Sequence, residues 1–257
     1  MLQTAPPFHV SLARTDADIR AAQRLRYDVF VTELGGDGAG VDHGRRIETD
    51  RFDAFADHLV LRDLRAPDPD TDGIVGVYRL MTAEHAAEAG QFYSADEFDL
   101  SPLHASGRTL LELGRSCLHP DHRGGVALRS LWQGLAEYVV EKNIDLLFGT
   151  ASFHGTDTER LLNPVSHLHA AYLAPPDLRV TSKMPQDMAL LPPAKVDRKA
   201  AMRDTPALIK SYLKLGGAIG QGVFVDHAFN TTDLCLILDA ARLDPADPLR
   251  RPARAAR

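Results

Sequence analysis

Glu112 and Arg115 stand three residues apart in LLELGRSCL. A carboxylate desolvated on a buried strand has its pKa raised and can accept a proton, so Glu112 is a candidate general base, acting directly or through water. The structural alternative is a salt bridge from Glu112 to Arg115 or Arg79. Side chains alternate along a regular strand, which would put Glu112 and Arg115 on opposite faces. A bulge near Gly114 would bring them to one face. Arg79 and Arg115 together could clamp a carboxylate, because a guanidinium matches one bidentately. Asp50 and Asp53, in DRFD, could receive a side-chain ammonium, or could cap a short turn. Arg26 and Phe30 lie four apart in LRYDVF, and Glu33 lies three further on, so all three share a helix face. Arg26 could hold an amino-acid carboxylate, order the loop that follows, or pair along the helix surface. An amino acid with a carboxylate and a distal ammonium would use both signs of charge.

The second constellation is the turn in LHPDHRGGVA. A strand ends at Leu118, and Arg123, Gly124, Gly125, Val126 and Ala127 lead into a helix. Unpaired N–H groups and the positive dipole end at such a helix start can cradle phosphate, and Arg123 can add a charge-assisted contact. An ordinary helix start has the same appearance. Cys117 reads as a core cysteine, since no base stands beside it in sequence. His167 and His169 are two apart and cannot share a helix face, and no H-E-x-x-H occurs, so a metal site is not expected.

The elements that must position these residues are legible in outline. Phe8–Arg14 reads as a strand. Thr15 or Asp16 then caps an amphipathic helix through Ile19, Ala22, Leu25 and Val29, which ends near Gly35. Residues 35–56 read as a long Gly- and Asp-rich loop, a length usual for functional segments. His58–Arg62 and Ile74–Met81 read as strands joined by the turn-rich APDPDTDG at 66–73. Leu110–Leu118 is a strand, and residues 126–141 form a helix with Leu128, Leu131, Trp132, Leu135 and Val139 on one face. Asp145–Ala151 is a short buried strand. Residues 157–174 read as a helix with a break at Pro164, and Pro175–Pro193 as irregular. Thr205–Leu215 is helical, and Val223–Asp226 and Asp233–Asp239 are late strands. Strands and helices in this order make a mixed α/β chain.

The 257 residues suffice for one sizeable core. Two cysteines exclude a disulfide scaffold and a Cys-rich zinc site, and they fit a reducing, cytoplasmic setting. A net charge of -6 speaks against a general nucleic-acid binder. No signal peptide and no membrane-spanning apolar run are read. Residues 31–72 carry 11 Asp/Glu against 5 Lys/Arg, whereas 183–216 carry 7 Lys/Arg against 3 Asp. An acidic front could attract a cation and a basic back an acidic partner, or both could be solvated faces.

The strand, the turn His122-x-x-Gly125-x-Ala127 and the helix after it resemble the acyl-donor segment of the GNAT acyltransferases. That family runs R/Q-x-x-G-x-G/A; here His stands first and Arg123 is shifted by one. The departure suits a donor bearing one phosphate better than the pyrophosphate of coenzyme A. The order Arg26-x-x-x-Phe30, Asp50-x-x-Asp53, Gly76-x-x-Arg79, Glu112-x-x-Arg115 is similar to the acyl-homoserine-lactone synthases. The fuller wording ELGRSCLHPDHR, LWQGLAEYV, FGTASFHGTD and LIKSYLKLGG with FNTTDL resembles the ornithine N-acyltransferases, once called hemolysin-like, over residues 20–240.

The resemblance implies a GNAT fold, a central twisted mixed sheet flanked by helices, as a single domain over residues 1–240. Its core spans about 8–175, a C-terminal α/β extension 176–240, and a disordered basic tail 241–257. It implies catalysis at Glu112 and Arg115, with a freed N–H of the bulged strand polarising a thioester oxygen, a contact worth ~3 kcal/mol. It places Arg26, Phe30, Glu33, Asp50, Asp53, Arg79 and Ser152 on the acceptor side, and Leu118 with Arg123–Ala127 at the donor. Tyr172 is a further candidate, for protonating the leaving thiolate. The implied donor is the phosphopantetheine of a 3-hydroxyacyl carrier protein, docked on the basic 183–216 stretch and Arg123 or Arg129. The implied acceptor is L-ornithine, with lyso-ornithine lipid as product and peripheral contact with the inner membrane through the tail or Pro175–Pro193. Rival expectations are an acyl-homoserine-lactone synthase, an acetyl-CoA-dependent N-acetyltransferase and a non-catalytic lipid- or carrier-binding protein. The lactone synthases have a Trp in the N-terminal loop, whereas the one Trp here is Trp132.

Overall fold

The computed structural model describes residues 7–65, 71–184 and 188–243. The expected turn at 66–70, part of the Pro-rich segment and the basic tail from 244 lie outside the described residues. The chain begins with β1 (Phe8–Leu12) and helix α1 (Asp16–Arg26). Thr15 and Asp18 form a reciprocal capping box at the start of α1. The helix then widens into a π-helical stretch, Tyr27–Glu33. The acidic loop after it folds back on itself as a short hairpin, β2 (Val41–Asp42) and β3 (Ile47–Glu48). β4 (Asp57–Asp63) and β5 (Ile74–Thr82) follow, then α2 (Ala83–Ala89), a 3-10 turn at Tyr93–Asp96, β6 (Phe98–Asp99) and α3 (Ser101–Ala105). β7 (Leu110–Leu118) leads through a 3-10 turn, Pro120–His122, into α4 (Gly125–Glu141), and β8 (Leu146–His154) leads into α5 (Thr158–Tyr172). The remainder is β9 (Thr181–Ser182), α6 (Arg198–Asp204), α7 (Ala207–Lys214), β10 (Ala218–Ile219), β11 (Phe224–Asp226) and β12 (Thr231–Asp239).

One sheet runs through the molecule in the order β1-β4-β5-β7-β8-β12-β10, with β11 also paired to β12. The pairings are antiparallel except for β7 with β8, which is parallel. β12 pairs with β8 along its whole length, so the C-terminal residues extend the sheet already built. One apolar layer holds Trp132, Leu135 and Tyr138 of α4 with Ile209, Tyr212 and Leu213 of α7. The other face is closed by a separate cluster around Phe52, Phe92, Phe98 and Phe148.

Two irregularities decide where a ligand can enter. First, Val77 pairs with Cys117 and Arg79 with Gly114, so Arg115 and Ser116 together oppose Tyr78. This is a bulge, and Arg115 adopts φ 49° to make it, a left-handed conformation uncommon outside glycine. Second, the β7–β8 ladder consists of Leu110–Glu112 opposite Leu146–Phe148 and then stops. Beyond it the two strands diverge, and an unpaired strand edge presents backbone N–H and C=O groups.

The expected strands and helices occupy nearly their predicted positions, with local differences. The first helix changes to π winding from Tyr27, so helical spacing no longer places Arg26, Phe30 and Glu33 on one face. Pro164 does not end its helix: α5 passes through it, and Pro164 is buried. Residues 83–109 carried no expectation and hold two short helices and the Tyr93–Asp96 turn.

Candidate active site

A cavity of about 300 Å³ opens where β7 and β8 part, a size typical of small-ligand sites. Leu113–Ser116 form one wall and Leu147–Ser152 the other. One end is polar, with Arg115, Ser152, Asp226, Thr231 and Asp233. The other is apolar, lined by Tyr78, Leu208, Tyr212, Leu236 and Leu238. Of the residues expected at the site, Arg115, Phe30 and Ser152 line this cavity.

Behind the polar end lies an ion network of three arginines and three carboxylates. Arg26 bonds Glu48 at 2.5 Å and Asp53 at 2.8 Å. Arg79 reaches Asp50 at 2.5 Å and Asp53 at 3.0 Å. Arg115 reaches Glu48 at 3.1 Å and Asp50 at 2.9 Å. Arg26 and Glu48 are completely buried, Arg79 is 2% exposed, and only Arg115 borders the cavity. Asp50 and Asp53 are therefore already neutralised by arginine and do not stand as free receivers of an ammonium. Burial alone would raise the Asp53 carboxyl, but Arg26 and then Arg79 hold it well below the usual carboxylate range. Arg26 and Arg79 do not reach a ligand as a carboxylate clamp, for the same reason. The sequence reading missed Glu48, the carboxylate that joins Arg26 to Arg115. It sits in the hairpin hidden inside the expected long loop.

Glu112 faces the same side as Arg115, but it does not line the cavity. Its oxygens accept the backbone N–H of Tyr93 at 2.8 Å and of Ser94 at 2.6 Å. Burial pushes its carboxyl up, and these two N–H donors oppose that shift. Glu112 thus anchors the 93–96 turn. The Tyr93 ring, in turn, stacks on Arg115 at 4.7 Å and on Arg79 at 5.3 Å. The Arg115 guanidinium is also 5.3 Å from the Phe229 ring, so two aromatic faces fix its orientation.

At the expected donor turn, Gly124 is the N-cap of α4, and no side chain caps the helix. A Cβ at Gly124 or Gly125 would meet nothing within 4 Å, so the space over this helix start is open. Val126 is exposed, Ala127 is buried against the core, and Leu118 packs against it. Arg123 does not point to the space over the turn. It forms a fork with Glu33 at 2.5 Å on both nitrogens and donates to the Leu118 carbonyl. Glu33 therefore belongs to this turn and not to the acceptor side. Cys117 is buried, which pushes its thiol up to about 12 and leaves it inert as a nucleophile. Tyr172 packs edge-on against His167 and is not part of the cavity wall.

A third group was not anticipated. Glu97, Asp226 and Asp233 place one oxygen each within 4.8 Å of one another at the polar end. They come from the 93–97 segment, from β11 and from β12, and no motif joins them in sequence. Ser94 links to Thr150, and Thr150 to Glu97, at 3.2 and 3.3 Å, which ties this group to the turn that Glu112 holds.

An acetyltransferase (GNAT) domain matches residues 25–133 of the chain. The L-ornithine N(alpha)-acyltransferase of Rhodobacter capsulatus is 53% identical over 232 residues, 90% of each chain. That of Brucella abortus is 41% identical over 238 residues, 91% of this chain and 85% of the relative. Among solved structures, FeeM, an N-acyl amino acid synthase from uncultured soil microbes, shares the fold. It superposes with a TM-score of 0.51 at 14% identity and 92% coverage of each chain. With nearly full-length matches at these identities, the chain belongs to the L-ornithine N(alpha)-acyltransferase family and carries the GNAT fold.

Proposed function

We propose that this chain transfers a 3-hydroxyacyl group from the phosphopantetheine thioester of acyl carrier protein to the α-amino group of L-ornithine, giving lyso-ornithine lipid. The observation that carries the reading is the two-ended cavity at the β7–β8 split. A polar end suits an amino acid, an apolar end suits an acyl chain, and the names of the relatives supply the acceptor.

In this reading the acyl chain runs along Leu208, Leu236 and Leu238, and the thioester carbonyl lies against the bulged edge of β7. A backbone N–H there polarises the carbonyl oxygen, and its rigid placement makes it effective as negative charge develops. The α-amine nitrogen forms the new C–N bond, the C–S bond breaks, and the proton lost by the amine ends on the phosphopantetheine thiol. Arg115, oriented by Tyr93 and Phe229, meets the acceptor carboxylate. Glu112 is a positioning residue that holds Tyr93 through its turn. The single phosphate of the donor arm approaches the uncapped start of α4.

The test is a single set of reactions. Purified protein is given either 3-hydroxyacyl carrier protein or acetyl-CoA as donor, with ornithine, lysine, glutamine, glycine and S-adenosylmethionine as separate acceptors, and the products are identified by mass spectrometry. Lyso-ornithine lipid from the ornithine reaction alone is the expected result. A lactone from S-adenosylmethionine, or transfer only from acetyl-CoA, overturns the assignment.

A further inference from the structure

We infer that Glu97, Asp226 and Asp233 form the receptor for the distal ammonium of the acceptor, and so select a diamino acid over a neutral one. The inference rests on the proposed transfer to an amino acid in this cavity, and it moves the ammonium site away from Asp50 and Asp53.

Three observations support it. The first is geometric. An ammonium has three N–H donors and no acceptor, and three carboxylates offer it one oxygen each. A tetrahedral nitrogen making three hydrogen bonds of ~2.9 Å spaces its acceptors by about 4.7 Å, which the observed 4.8 Å limit accommodates.

The second is the state of Asp233. Its side chain is 3% exposed and lines the cavity, yet its Oδ1 has no hydrogen-bond partner. A buried carboxylate oxygen without a donor is costly, and such an atom at a cavity wall marks where a donor arrives with the ligand. The hydroxyls of Ser152 and Thr231 also stand beside the Asp233 carboxylate, that of Thr231 donating to Oδ2 at 3.3 Å. Asp226 Oδ1 is oriented by the N–H groups of Ala228 at 2.8 Å and Phe229 at 3.1 Å. Glu97 Oε2 accepts from Thr150.

The third is electrostatic. No ion pair joins Glu97, Asp226 or Asp233 to a cation among the described residues, and Arg115 acts on Glu97 and Asp233 only through space, whereas Asp50 and Asp53 form ion pairs with Arg26, Arg79 and Arg115. Burial first, then Asp233 and Asp226, push the Glu97 carboxyl up to about 9, while burial pushes Asp233 up to about 6. Like charges held this close resist ionising together, and a bound cation relieves the conflict. Asp233 lies opposite Ser152, on the stretch of β8 that lines the cavity.

The experiment titrates L-ornithine, L-norvaline (the same chain without the distal amine), calcium chloride and magnesium chloride separately into the full chain, by calorimetry. The same titrations are made with Asp233→Asn and Asp226→Asn. Rates of acyl transfer to ornithine and norvaline, from acyl carrier protein, are measured alongside. The expected result is ornithine binding at least about tenfold tighter than norvaline, with that ratio falling to within about threefold in both variants. The ratio is the readout because a folding defect lowers both acceptors together. An ornithine preference retained in both variants overturns the inference and leaves the proposed transfer standing. So does a wild-type protein that binds or acylates the two acceptors equally. Calcium or magnesium binding that the variants abolish, and that ornithine does not displace, identifies a metal site and overturns it as well. Neither amino acid binding nor being acylated removes the proposed function and this inference together.

Discussion

Asp53 shows most clearly how single residues are committed. Its carboxylate lies between Arg26 and Arg79, 7% exposed, in a buried lattice that alternates in charge. Desolvation makes such lattices poor sources of net stability, but removing one member leaves an uncompensated buried charge. Asp53→Asn is expected to lose about 3–5 kcal/mol at pH 7, read as a lowered thermal midpoint. The pH dependence follows from the direction of the shift. A carboxyl held below its unfolded value contributes stability that is complete above that value and is lost as pH falls toward the folded one. The gap between wild type and variant therefore narrows below about pH 4, which urea titrations at several pH values would follow. A gap unchanged between pH 7 and pH 3 would count against the network as described.

At the scale of elements, the site exists because three of them are irregular. The bulge at Arg115–Ser116 turns Arg115 onto the side of β7 that Glu112 already faces. The π winding after Arg26 separates residues that an α-helix would align, so Phe30 lines the cavity and Glu33 reaches Arg123. The early end of the β7–β8 ladder opens the cavity itself. Gly149 governs this opening, because a Cβ there would lie 2.1 Å from the Leu113 carbonyl oxygen. Gly149→Ala must push the strands apart at the split. Backbone is a hard neighbour, so the expected cost is at the upper end of overpacking, about 3 kcal/mol, with loss of acyl transfer. A variant with wild-type thermal midpoint and turnover would show that the strands part elsewhere.

At the scale of the molecule, charge is segregated. Three acids of the 31–72 segment, Glu48, Asp50 and Asp53, are consumed in the ion network, whereas Arg198, Lys199, Arg203 and Lys214 on α6 and α7 are exposed. Under the proposed function, a carrier protein rich in acidic residues docks on that surface, and such contacts are screened within about 8–10 Å at physiological salt. The KM for acyl carrier protein is therefore expected to rise several-fold between low and high salt while kcat changes little. Arg198→Glu with Lys199→Glu should raise KM and flatten the salt slope. A salt-independent KM would place the docking surface elsewhere. No helix among the described residues is long and apolar enough to cross a membrane.

Much of this organisation is written locally. The capping box at Thr15 and Asp18, the strand that carries Glu112, and the amphipathic α4 depend on neighbours within a few positions, and they fold where their spacing says. Side-chain alternation along β7 already requires a bulge for Arg115 to share a face with Glu112, but not that Arg115 itself takes the positive φ. Family membership was equally legible, because it rests on the order of short motifs along the chain. Which carboxylates are spent and which remain available was not. Asp50 and Asp53 look free in sequence, and only packing brings Arg26, Arg79 and Arg115 onto them. Glu97, Asp226 and Asp233 look like ordinary surface acids, and only the pairing of β12 with β8 and the turn held by Glu112 bring them to one point. Local spacing sets secondary structure through contacts a few residues long. The charge state and availability of a side chain depend on burial and on partners far along the chain, and those are properties of the tertiary structure alone.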